Sequence, residues 1–227
     1  MEVRPTAPNA ALGVARKDLL AEARAPDGLS LAVLVGALVL LLFRVAAEGT
    51  PLPVGTALWV ALLFSATAGL SRTFHAEAER GTLDLLLASP ASPAALFAGK
   101  MLSGLVVTLA CGLVMVAMAA AFFGGGVLRE PLPVVAFVVL GGVGLAAQAS
   151  FLSALSARSP TRAALFPVLM IPLCTPLLAW AARGTVAASL GAGFGDPALA
   201  FDLLAVALYD AAFVPLNAIL VPLALRA

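Results

Sequence analysis

Charge is what this sequence lacks. Only 11% of its 227 residues are Asp, Glu, Lys or Arg, where a soluble domain carries about 25%. With 62% of the chain hydrophobic, too little polar surface remains to wrap a water-soluble globule. That excludes a cytosolic enzyme, a nucleic-acid binder and a secreted domain, and it excludes disorder as well. Cysteine is nearly absent. Cys111 and Cys174 lie far apart inside apolar runs, and neither belongs to a C-x-x-C. Each reads as a small buried residue, with no disulfide framework, zinc site or covalent haem site implied. His75 is the only histidine, so this chain alone offers no bis-histidine haem ligation. A phosphate-binding G-x-x-x-x-G-K-[ST] is missing, since Gly99-Lys100 runs into Met101. Paired carboxylates and nucleophile–base sets are missing too, so catalysis is not expected of this chain. No cleavable signal is expected either, because the first apolar run begins only at Leu29.

What the chain does have is long apolar runs. A helix needs about 20 mostly apolar residues to cross the hydrocarbon core. Six such stretches occur, at 29–47, 53–71, 101–128, 132–157, 163–182 and 203–225. They are apolar on both parities, which favours helices over membrane strands. The expected architecture is an all-α integral membrane protein, with a leader over residues 1–28 and a six-span domain over 29–227.

The few charges orient it. Arg4, Arg16, Lys17, Arg24, Arg72, Arg80, Lys100, Arg158, Arg162 and Arg226 flank the spans on one side, and only Arg44, Arg129 and Arg183 on the other. The positive-inside rule then puts both termini in the cytoplasm. The outer connections are short turns, except a loop of about 20 residues over Arg183–Asp202 that is too polar and broken to span.

Two cytoplasmic pieces stand out. Ala10–Ala25 forms an amphipathic helix, with Leu12, Ala15, Leu19, Leu20 and Ala23 on one arc and Lys17, Asp18, Glu22 and Arg24 on the other. Arg16 intrudes on the apolar side. This pattern suits a helix lying in the membrane interface, apolar face down and charged face to the cytosol. Pro26-Asp27-Gly28 ends it before the first span.

The second piece runs from Ser71 to Pro90. No breaker interrupts the second span between Ala57 and Arg80, so its helix is expected to continue beyond the membrane. Gly81 can end it in a left-handed conformation. Thr82 can cap a short helix, Leu83–Ala88, that Ser89-Pro90 closes, and Ser92-Pro93 can start the next span. Leu83, Leu85, Leu86 and Leu87 cannot all face their own chain on so short a helix. Rimmed by Glu77, Glu79, Arg80 and Asp84, they read as a docking knob for another protein; packing on the leader or on lipid headgroups is the alternative.

Asp210 is the one acid inside a span, about seven residues or about 10 Å from its outer end. Such an acid is a functional candidate, with Tyr209 beside it; the plainer reading is a shallow acid, hydrated or bonded to Arg183. Gly141, Gly142, Gly144 and Ala146, with Gly104 and Gly112, favour close helix packing. Pro167, Pro172 and Pro176, then Pro215 and Pro222, favour bent helices.

Together these features resemble an ABC-2 type permease, and within that group the CcmB family of haem-exporter permeases of cytochrome c maturation. The resemblance rests on Arg16-Lys17-Asp18-Leu19 with Glu22 and Arg24, on Gly55-x-x-x-Trp59, and on Ser71-Arg72-x-Phe74-x-x-Glu77. It continues through Gly81-Thr82-Leu83, Leu85-Leu86-Leu87-Ala88-Ser89-Pro90 and Gly99-Lys100, and the late Tyr209-Asp210. It implies a coupling helix between spans 2 and 3 that docks an ATPase through Phe74, Glu77, Glu79, Arg80, Gly81, Thr82, Leu83, Leu86, Leu87 and Pro90. It also implies a homodimer in a bacterial cytoplasmic (inner) membrane, a CcmA-like ATPase partner and a CcmC-like haem-handling partner. ATP would be used only by the ATPase, haem would be a substrate of the complex, and no cofactor would be bound by this chain. A generic ABC-2 exporter of a lipid-linked or drug-like substrate, or an uncoupled membrane scaffold, remain the alternatives.

Overall fold

The structure is a computed structural model, and it describes residues 7–47, 53–71, 74, 77, 81, 92–157 and 165–225. Seven α-helices occur among them: α1 (Ala7–Arg24), α2 (Asp27–Ala46), α3 (Val54–Leu70), α4 (Pro93–Phe123), α5 (Pro131–Ser156), α6 (Leu165–Ser189) and α7 (Pro197–Ala224). A 3₁₀ turn, Gly125–Leu128, joins α4 to α5. Five helices, α2 and α4 to α7, are long and apolar enough to cross a membrane. The apolar α3 has 17 residues, and most of them are buried.

Helix starts follow the local chemistry. Ser92 caps α4 by accepting the Ala95 N–H at 3.2 Å, with Pro93 in the first turn. Asp196 does the same for α7, accepting from Ala198 and Leu199 at 2.8 and 3.2 Å. Glycines set the packing distance. A Cβ on Gly141 would lie 2.1 Å from the Trp59 ring, and one on Gly184 would lie 1.9 Å from Phe137. Each aromatic ring therefore lies against a bare helix backbone, as close packing by small residues requires. The Trp59 indole N–H is satisfied by the Thr185 hydroxyl at 2.9 Å. Cys111 and Cys174 are buried free thiols.

Three expected boundaries are corrected. Helix α3 does not run on to Arg80: it ends at Leu70, and Ser71 and Phe74 lie in turns. The Ser153 hydroxyl on α5 accepts the Phe74 N–H at 2.8 Å and donates to the Ser71 carbonyl at 3.2 Å, which supports the backbone through the break. The third span ends at Phe123 rather than 128, because Gly124, at φ +88°, turns the chain out of the helix. The loop expected over Arg183–Asp202 shrinks to residues 190–196, since α6 continues to Ser189 and α7 starts at Pro197. Arg183 and Asp202 pair at 3.3 Å, so charges that look like helix ends in sequence neutralise each other between two helices. The connection at 82–90, with the expected coupling helix, lies outside the described residues.

Candidate functional site

The leader helix α1 packs mainly on the first turns of α4 and touches α2 little. Contact is close because residue 99 is glycine: a Cβ there would lie 2.6 Å from the Ala11 carbonyl and 2.7 Å from Val14. Over that contact sits an alternating set of charges. Lys100 is only 2% exposed, and its ammonium lies 3.0 Å from Asp18 and 3.1 Å from Glu77. Lys17 hydrogen-bonds Glu77 and pairs with Asp18 at 3.3 Å. The Lys100 ammonium also stands 5.5 Å over the ring of Phe74, which is fully buried; this is cation–π distance.

Each charge in this set has a partner of opposite sign, as burial demands. Partial burial pulls the Lys17 pKa down, but the hydrogen bond to Glu77 and the charges of Asp18 and Glu77 outweigh it and hold the lysine above its ordinary value. Four parts of the chain are thereby joined: α1, the 71–81 connection, the base of α4 and, through Ser153, α5. A cleft of about 300 Å³ beside the set, bordered by Asp18, Glu22, Asp27 and Glu77, leaves it open space on one side.

The leader's faces differ from the expected ones. Asp18 and Glu22 turn inward, Asp18 to Lys100 and Glu22 to the N–H of Leu29 at 2.6 Å. The cause is chemical. A buried lysine and an uncapped first turn of α2 each need an anion, and this outweighs the pull of solvent on the two acids. The buried face centres on Ala15, whereas Leu12 and Leu20 are 58% and 45% exposed. With Arg16 and Arg24, also exposed, they form an outward stripe at i, i+4 spacing.

A second polar group lies within the bundle. Gln148 on α5 donates to the Tyr209 hydroxyl at 2.9 Å and accepts from Asn217 at 3.1 Å, while Tyr209 donates to the Leu173 carbonyl at 2.8 Å. Tyr209 therefore braces α7 against α5 and α6 rather than anchoring a helix end. Asp210 is also not where the sequence suggested. It is the fourteenth residue of the 28 in α7, so it lies at mid-helix, about 20 Å from the start. Arg183 is committed to Asp202, and neither oxygen of Asp210 has a hydrogen-bond partner among the described residues.

Of the expected site residues, Lys17 and Glu77 are brought together, Asp18 and Lys100 join them, and Phe74 lies under the Lys100 ammonium. Gly81 has the left-handed φ of +67° expected of it and is exposed. Glu79, Arg80, Thr82, Leu83, Leu86, Leu87 and Pro90, with His75, lie outside the described residues. Lys100, Ser153, Gln148 and Asn217 were not foreseen as site residues. Lys100 had a visible signal, since it is the only lysine at the base of a span and faces a loop rich in acids.

Seven helices, five of them fit to cross a bilayer, around a core of small and aromatic residues define a multi-pass helical membrane protein. The family model CcmB protein matches residues 9–226. The chain therefore belongs to the CcmB family, and it is a membrane transport subunit of the Ccm system. No curated protein matches it.

Proposed function

We propose that the chain is the permease subunit of an ABC transporter complex that handles haem for cytochrome c maturation. In this reading it has six crossings with α3 included, both termini in the cytoplasm, and a place in the bacterial inner membrane. Two copies pair with a CcmA-like ATPase and a CcmC-like protein, and haem is a substrate of the complex. Leu12, Arg16, Leu20 and Arg24 meet lipid headgroups, the leucines inserting while the arginines reach outward.

The observation that carries this reading is the charge set around Glu77 and Lys100. It fastens the segment leading into 82–90 to α4 and to the leader through ion pairs that cost several kcal/mol to break singly. A push on Leu83–Ala88 by a closing ATPase would therefore not be absorbed by a slack loop. It would reach α4 through Lys100 and α5 through Ser153. Leu86→Asp should abolish co-purification with the ATPase from native membranes while membrane insertion remains intact; unchanged co-purification would refute the docking role.

A further inference from the structure

The buried acid Asp210 has a feature that the permease reading does not use. It is 8% exposed and sits at the middle of α7, with both carboxyl oxygens lacking a hydrogen-bond partner among the described residues. Its Oδ1 comes so close to α5 that a Cβ on Gly144 would lie 2.6 Å away, and the same Cβ would lie 2.7 Å from Leu177 of α6. The carboxyl is thus enclosed by a bare backbone turn and a leucine.

Among the described residues no cation is available to it. Helix α7 packs against α4, α5 and α6. Their charged residues are only Lys100 on α4 and Arg183 on α6. Lys100 is paired with Asp18 and Glu77, and Arg183 with Asp202. Tyr209 beside it, and Cys174 near Tyr209, bring no positive charge. A bound metal cation would need several oxygen ligands, yet Gln148 and Tyr209 spend theirs on each other, Asn217 and Leu173. A proton is the one cation that neutralises a carboxylate without further ligands.

Another acid stands toward the start of α7. Asp202 and Asp210 are eight residues apart on α7, which places them about 12 Å apart along one stripe. Val206 lies between them and is fully buried. Asp202 is itself buried but reaches Arg183, whose side chain is 62% exposed. We propose that Asp210 is a proton-binding site at the centre of the bundle, neutral in this conformation and reached from the end where Arg183 and Asp202 pair. This holds whether or not the chain couples to an ATPase, because it concerns only α4 to α7.

Infrared spectroscopy of the full-length protein in lipid nanodiscs tests it. Subtracting the spectrum of Asp210→Asn from that of the parent at pH 7 should leave one protonated-carboxyl carbonyl band that shifts in D₂O. Asp210→Glu keeps the acid with one more methylene, so it should shift the band without losing it, and it serves if the Asn variant fails to fold. Asp202→Asn should slow the D₂O shift and leave the band in place. An ionised-carboxylate difference in place of the carbonyl band overturns the site. An unchanged exchange rate in Asp202→Asn overturns the entry side.

Discussion

Two regions of this molecule bury carboxylates, and they treat them in opposite ways. At the base of α4, Asp18 and Glu77 meet Lys100 and Lys17 within 3.3 Å. At mid-bundle, neither carboxyl oxygen of Asp210 has a hydrogen-bond partner among the described residues. The first arrangement fastens helices to one another through paired charges; the second, on the proposal above, is borne without a charge. Removing a charge should therefore be costly in one place and cheap in the other.

The largest effect is expected from Lys100→Met, which leaves Asp18 and Glu77 facing each other without their buried cation. Loss of one partner of a buried ion pair costs about 3–5 kcal/mol. A correspondingly lower thermal midpoint in detergent would show it. Asp210→Asn is the counterpart and should cost less than about 1 kcal/mol in the same measurement, since no counter-ion is stranded. Equal losses in the two variants would end the contrast.

Tyr209→Phe comes next. It removes the hydroxyl shared by Gln148 and the Leu173 carbonyl, and leaving buried partners unsatisfied costs about 1–3 kcal/mol. A smaller loss would mean that the mid-bundle network contributes little and that Asp210 is not held by its neighbour. The smallest effect concerns pH. Lys17 is held above its ordinary pKa, so its contribution to stability is complete below the unfolded lysine value and is lost as pH rises through the folded one. Thermal midpoints should stay level up to the lysine range and fall beyond it, with a shallower fall in Lys17→Met. A fall that begins near neutral pH would point to another group.

Much of the architecture was legible because it rests on rules that act locally. The Ser92-Pro93 and Asp196-Pro197 starts need only a cap and a fixed φ, and both occur. The left-handed conformation of Gly81 had the same kind of signal. What sequence missed depends on partners that are distant along the chain. Arg183 and Asp202 each looked like a boundary when read alone, and together they cancel. Asp18 and Glu22 looked solvent-facing because periodicity scores a charge as polar wherever its counter-ion lies. Ser153, 82 residues from Ser71, gives no sign in sequence that it will stand at the break after α3.

The leader's attachment to α4 has a consequence for how the protein is made. Lys17 and Asp18 leave the ribosome well before Glu77, which is 60 positions beyond Lys17, and Lys100 comes later still. The leader's seat does not exist until α2 and α3 are already synthesised and α4 has begun. Until then its contact with α2, through Glu22 and the Leu29 N–H, can hold it. The leader is thus made before its seat, and its docking records that α2, α3 and the base of α4 have been assembled.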